Sequence, residues 1–284
     1  MKSLKLFLFS MSVVLLSLVS CSDGSNGSGA GTLSIKMTDA PFPHDMVKAA
    51  NVTIFKIDAR KKSDDGEAET SAEFVTLSET ETTLNLLELT NGITATLANA
   101  EVPEGSYDLV RLFVSEASIE LSDGTMHTVK VPSGSQTGIK VFVKPSILVA
   151  GGLTADLLLD FDVSSSFVLN GNLNMPSGIT GFIFKPTIKA SNISTSGTLS
   201  GTVSELSSDP ITFLEEVEIS VYASDTLNTT TFTDLNGAYT VLGLSAGSYK
   251  VEAELEGFVS KEVENVTIVA GNKSTVNFEL EPNL

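Results

Sequence analysis

Apolar and polar side chains alternate with a period of two along most of the chain beyond residue 31, and that period predicts strands. In Leu33-Ser34-Ile35-Lys36-Met37-Thr38 every second residue is apolar, as a strand with one buried and one wet face requires. Val52-Thr53-Ile54-Phe55-Lys56-Ile57 is β-branched and apolar on both faces, which predicts a central strand. Further strands are predicted at 74–77, 83–89, 107–114, 118–121, 127–131, 139–142, 155–163 and 182–190. Ser122-Asp123-Gly124-Thr125 joins two of them as a hairpin, because Asp-Gly supplies the positive φ angles of a tight turn. Residues 61–73 are charged and predict a solvated loop, and only 91–98 has the character of a short helix. The cleanest alternation comes late. Tyr249, Val251, Ala253 and Leu255 oppose Lys250, Glu252, Glu254 and Glu256, and Val217, Ile219, Val221 and Val276, Phe278, Leu280 repeat the pattern. Between the two halves, 191–201 (SNISTSGTLSG) is rich in Ser, Thr and Gly and marks a domain boundary. The fold class expected is all-β, two antiparallel β-sandwich domains in series at 32–192 and 198–281. The 284 residues suffice for two cores, since domains of about 100 to 150 residues are commonest.

The first 31 residues follow a different pattern. Lys2 and Lys5 precede an apolar run at 6–19, broken only by Ser10, Ser12 and Ser17, and small residues lead up to Cys21. That is a secretory signal over 1–20, shorter than the roughly 20 apolar residues a membrane span needs. Residues 22–31 (SDGSNGSGAG) carry nothing larger than Ala30 that can be buried, and predict a flexible tether with a reach of about 5–6 Å times the square root of its length. Cys21 is the only cysteine, so no disulfide forms within the chain. Leu18-Val19-Ser20-Cys21 resembles the bacterial lipoprotein box. The resemblance implies cleavage before Cys21, a lipidated tether over 21–31, and a lipid-anchored protein of the outer membrane, because Ser22 after the cysteine is not acidic; which side it faces is left open. Several acyl chains, each contributing about 0.8 kcal/mol per buried methylene, would make the membrane its first partner.

Charge narrows the other partners. The formal net charge is -18, and removal of Lys2 and Lys5 makes the mature chain two charges more negative, so polyanions are repelled and nucleic acid is excluded as a partner. For nucleophilic catalysis the chain offers His44 and His127, but no GxSxG motif, and its cysteine is committed to lipid. The 35 acids permit a carboxylate-pair glycosidase by count alone, yet no aromatic cleft suggests itself. The expectation is no enzyme, no catalytic residue and no cofactor. Asp156, Asp160 and Asp162 share one face of a strand and are the candidate metal ligands, with Ca²⁺ the ion that carboxylate oxygens suit. In the competing and favoured reading Leu157, Leu159, Phe161 and Val163 are buried and the three acids face water, since no EF-hand motif accompanies them. There is no Trp; Tyr222 lies on the polar face of its strand and is the aromatic best placed for a sugar, while alternation gives Tyr239 and Tyr249 structural roles.

Five ordered landmarks carry a family resemblance: Thr38-Asp39-Ala40-Pro41; Val102-Pro103-Glu104-Gly105-Ser106-Tyr107 leading to Arg111-Leu112; Pro132-Ser133-Gly134 with Gly138-Ile139-Lys140; Asp160-Phe161-Asp162; and Phe184-Lys185-Pro186. Together they resemble the domain of unknown function 4382 of bacterial lipoproteins, which carries over no active site. Thr233-Asp234-Leu235-Asn236-Gly237-Ala238-Tyr239, then Leu244, Gly247-Ser248-Tyr249 and Gly257-Phe258, resemble the carboxypeptidase regulatory-like domain. That resemblance implies a small prealbumin-like sandwich, grouped with carbohydrate-binding-like folds and without catalytic residues. The two domains also echo each other, with Glu104-Gly105-Ser106-Tyr107 and Ala246-Gly247-Ser248-Tyr249 each leading into a strand. The function expected is a non-enzymatic envelope module for binding or adhesion, with glycan the first ligand class and a surface protein the other candidate partner. The alternative is a spacer or accessory subunit of a surface assembly, pairing through a sheet edge. A hydrolase with an unrecognised site is the third reading.

Overall fold

The computed structural model describes residues 29–40, 46–62, 73–131, 135–171 and 176–283. The leader, Cys21, most of the tether and His44 lie outside these residues.

The first alternating segment forms β1 (Ala30–Ala40), with Leu33, Ile35 and Met37 fully buried. The run that is apolar on both faces lies in β2 (Val47–Lys61). β3 (Phe74–Ser78), β4 (Thr82–Asn85), β5 (Ala95–Pro103), β6 (Gly105–Leu121), β7 (Met126–Val129), β8 (Ile139–Val149) and β9 (Thr154–Asp162) follow. A four-residue helix α1 (Val163–Ser166), β10 (Phe167–Gly171), β11 (Ile179–Phe184) and β12 (Ile188–Asn192) complete the first domain. One sheet runs β12-β9-β1-β5, and the other has β2 and β6 at its centre, flanked by β3, β4, β7 and β8. β5 lies beside β3 and β12 beside β8, so the sheets meet at both edges around one apolar core.

The second domain has its own core between two sheets. β13 (Ser196–Glu205) pairs β16 (Ala238–Ser245) on one side and β19 (Lys273–Thr275) and β20 (Phe278–Leu280) on the other. Facing it, β14 (Glu218–Ala223) and β17 (Gly247–Glu254) are flanked by β15 (Thr226–Phe232) and β18 (Lys261–Ile268). Of the predicted inward sets, Val217, Ile219, Val221, Tyr249, Val251, Ala253, Phe278 and Leu280 are buried, while Leu255 and Val276 are half-buried. Each large buried side chain among them stabilises the fold by about 1.5–3 kcal/mol. The protein is all-β.

Most pairings are antiparallel, but three are not. β1 runs parallel to β9, from Thr32 opposite Thr154 to Ala40 opposite Asp162, and β13 runs parallel to β19 and β20. A parallel pair needs a long crossover, and in both domains the strands between first and late element supply it. Residues 91–98 are not a helix. Asn91 and Gly92 both take positive φ (55° and 82°), which ends any right-handed helical run, and β5 follows. The expected strands 107–114 and 118–121 are one strand, β6, because the consecutive exposed residues Ser115 and Glu116 fall at a bulge opposite Thr53 and Ile54. Conversely 182–190 is split into β11 and β12 around Lys185-Pro186-Thr187. The stretch 191–201 is structured throughout: Asn192 caps a 3-10 turn at Ile193–Thr195, accepting from the Ser194 N–H at 2.9 Å, and β13 starts directly after.

The sequence echo is a shared device. Tyr107 Oη donates to the Pro103 carbonyl at 2.8 Å, and Tyr249 Oη donates to the Ser245 carbonyl at 2.9 Å, each four residues upstream across the Gly-Ser turn. Both rings are buried, and burial pushes both phenols above their ordinary pKa, with Glu73 adding to the effect at Tyr107.

Candidate functional site

Pro41 and Pro132-Ser133-Gly134 lie outside the described residues; apart from the Tyr107 turn, the described landmarks of the first domain gather at two places. Thr38-Asp39-Ala40 on β1 lies in parallel register with Asp160-Phe161-Asp162 on β9, and Phe184 stacks on Phe161 at 6.3 Å and tilts against Phe167 at 4.9 Å. Here two aspartates hold the start of α1. Asp39, on the core side, accepts from the Val163 N–H at 3.1 Å, and Asp162 accepts from Ser165 N–H and Ser164 Oγ, both at 2.8 Å. The second place is the outer face of β6. Arg111, paired with Lys140, lays its guanidinium over Phe74 at 3.4 Å, and its Nη2 lies 3.7 Å from the buried Asp58. Asp58 also accepts from Thr76 Oγ1 at 3.0 Å and meets Lys56 at 3.3 Å. Both arrangements are clamps on buried charge.

The three acids of β9 share a face but not a ligand. Asp156 pairs with Lys36 at 3.0 Å; burial opposes its ionisation, but the hydrogen bonds from Lys36 and Ser34 outweigh it and hold the carboxyl below its ordinary value. Asp162 caps α1. Asp160 lies under the second domain, where burial pushes its carboxyl up to about 6 against the pull of Lys189, with Asp162 adding to the rise. Leu157, Leu159 and Phe161 are buried on the opposite face, and Val163, at the start of α1, is buried as well. Among the described residues no group of three His, Cys, Asp or Glu is placed to hold a metal ion. His127 meets Phe182 edge-on at 5.6 Å and makes no hydrogen bond to a serine among the described residues. Tyr222 has one face occupied by Lys250 Nζ at 4.7 Å. Tyr239 is buried, donating to the Val276 carbonyl at 2.7 Å.

What sequence reasoning did not find is a cleft of about 370 Å³ between the domains. Phe142 and Lys144 on β8, Asp160 on β9 and Lys189 on β12 line one wall; Asn228, Thr229 and residues 242–245 line the other. The domains are held close around it. Lys189 Nζ donates to the Asn228 carbonyl, Asn91 Nδ2 donates to the Ala238 carbonyl at 3.1 Å, and a Cβ on Gly243 would stand 3.0 Å from Leu158 Cδ2. Leu158, on the acidic face of β9, is thereby 1% exposed. Phe142 is 54% exposed, and Lys144 Nζ lies over its ring, 5.8 Å from the centroid. A signal for this existed: in Lys140, Phe142 and Lys144 an aromatic occupies the polar face of an alternating strand, the criterion that singled out Tyr222.

A protein-family comparison accounts for the first domain. The family described as domain of unknown function (DUF4382) matches residues 30–186, more than half of the chain. The chain belongs to this family. Behind the DUF4382 region, the carboxypeptidase regulatory-like domain matches residues 198–281. The cleft therefore lies between a DUF4382 domain and a regulatory-like sandwich. No curated protein matches the chain. Among solved structures, the Bacillus anthracis TIE protein is 15% identical over 89% of this chain, with a TM-score of 0.26, and the chain spans only 34% of that protein's length. The minor pilin GBS52 of Streptococcus agalactiae is 12% identical, covering 88% of this chain and 96% of its own, with a TM-score of 0.26. The shaft pilin SpaA of Lactobacillus rhamnosus GG is 8% identical, covering 90% and 98%, also at 0.26. Likenesses at these scores carry no argument about function. Among the described residues no helix is long and apolar enough to cross a membrane.

Proposed function

We propose that the protein is a non-enzymatic binding module of the cell envelope, anchored to the outer membrane by lipid on Cys21, and that it takes saccharide in the cleft between its two domains. The observation that carries the reading is the exposed side chain of Phe142 beside hydroxyl, amide and charged groups in one concave site. A small-ligand site needs that combination of an apolar platform with a few convergent polar groups. The volume fits the lower range of such sites. A glycan array probed with the chain from Ser22 onward tests it. Binding to saccharide that is lost in Phe142→Ala supports the reading, and an array with no signal above background overturns it.

The anchor is tested separately. Cys21→Ala should move the protein from the membrane fraction to the soluble fraction of cells, and retention in the membrane overturns the lipid assignment. A second reading, as a spacer or accessory subunit of a surface assembly, draws support from the close domain junction through Asn91, Lys189 and Gly243, which favours a stiff two-domain body. One stoichiometric protein partner after cross-linking in cells would favour it. Pairing through β18 is disfavoured, because that edge exposes Lys261, Glu262 and Glu264.

A further inference from the structure

We propose that the cleft selects anionic saccharides over neutral ones, and that Lys144 is the residue that makes the selection. The inference rests on the saccharide reading above and adds to it the charge of the ligand.

The chain carries 35 acids against 17 Lys and Arg, so most of its surface attracts cations and repels anions. The cleft departs from that background, with Lys144 on β8 and Lys189 on β12 both exposed at one wall. The two lysines have different duties. Lys189 is committed: it donates across the junction to the Asn228 carbonyl and is the register partner of Asp160, whose charge it offsets. Lys144 is paired with no acid among the described residues, and its contact is the ring of Phe142. Lys144 Nζ lies over one side of the Phe142 ring, 5.8 Å from its centroid, so a pyranose that packs against the exposed remainder of Phe142 can turn its own anion towards the ammonium. The opposite wall offers no competing charge, since Asn228, Thr229 and residues 242–245 are neutral. The remaining acid of the cleft, Asp160, lies on the β9 strand beside Lys189, so the anion belongs at the Lys144 end. A neutral sugar would gain the stacking alone. Carboxylate and sulfate share the chemistry that an ammonium recognises.

Isothermal titration of the chain from Ser22 onward with oligogalacturonate, a sulfated galactan oligosaccharide and a neutral galacto-oligosaccharide of equal length tests the inference and separates the two anions. Wild type should bind at least one anionic probe about tenfold or more tightly than the neutral one, equivalent to about 1.4 kcal/mol. Lys144→Gln, an exposed position, should bring that ratio down towards one. The same collapse is expected for wild type in about 0.5 M salt, where screening acts within a few ångström, so the inference stays testable if the variant does not fold. Equal binding of anionic and neutral probes by wild type overturns the selection and leaves the saccharide reading standing. A preference that survives both Lys144→Gln and salt overturns the role of Lys144. Binding of none of the probes, with an array blank for every glycan, overturns the saccharide reading itself.

Discussion

Asp160 offers a perturbation whose size can be worked from the structure. Its carboxyl is pushed from the ordinary 3.8 up to about 6 by burial beneath the second domain, with Lys189 opposing and Asp162 reinforcing the shift. Lys144 and Lys189 are the cations that share its cleft, and the facing wall from β15 and β16 carries no charge. A carboxyl with a raised folded-state pKa holds its proton more tightly when folded, so its contribution to stability is complete below about pH 4, falls between about pH 4 and pH 6, and is gone above. At about 1.36 kcal/mol per unit, the shift of roughly two units sets a ceiling of about 3 kcal/mol on the loss. Asp160→Asn keeps the shape and cannot titrate. Urea unfolding of both proteins from about pH 4 to about pH 7 isolates the effect, because the other 34 acids are common to both proteins. The variant should gain on wild type as pH rises, by up to about 3 kcal/mol, with most of the gain between pH 4 and pH 6. A difference that does not change with pH would refute the reasoning.

Two further substitutions probe the packing. A Cβ on Gly201 would stand 1.6 Å from the Val276 carbonyl oxygen and 2.8 Å from the Tyr239 ring, so Gly201→Ala must force β13 away from the segment after β19; a loss of about 3 kcal/mol is expected, read as a lower thermal midpoint, and a wild-type melt would count against the close approach. Tyr107→Phe and Tyr249→Phe each remove one hydroxyl that bonds a carbonyl four residues upstream, and each should cost about 1 kcal/mol in urea unfolding. Because the two lie in separate cores, their costs should add, and a strong coupling between them would show that the domains do not fold as distinct units.

Period-two alternation made the strands legible wherever one face is wet. β1, β14 and β17 were readable because each places apolar residues at every second position. The pattern failed where a strand has no clean polar face or where chain direction is decided elsewhere. β5 carries Ala95, Ala98 and Ala100, too small to announce a buried side, and so its start has the sequence character of a helix. The parallel pairings of β1 with β9 and of β13 with β19 and β20 follow from how distant segments meet, which local alternation does not encode.

The acidic strand shows where legibility stops. Alternation placed Asp156, Asp160 and Asp162 on one face of β9, and the geometry puts Leu157, Leu159 and Phe161 in the core opposite. Whether three acids on one face act together depends on what crosses that face, and the sequence of β9 does not carry this. A lysine from β1 takes Asp156, the start of α1 takes Asp162, and the second domain covers Asp160 along with Leu158. Asp160, with the pKa that burial raises, has its place in the cleft where β16 approaches closely enough for Gly243 to pack on Leu158. The candidate site is thus a property of the junction. Each wall comes from a module recognisable by its own motifs, while Phe142, Lys144 and Asn228 belong to none of those motifs and gain meaning when the two modules are brought together.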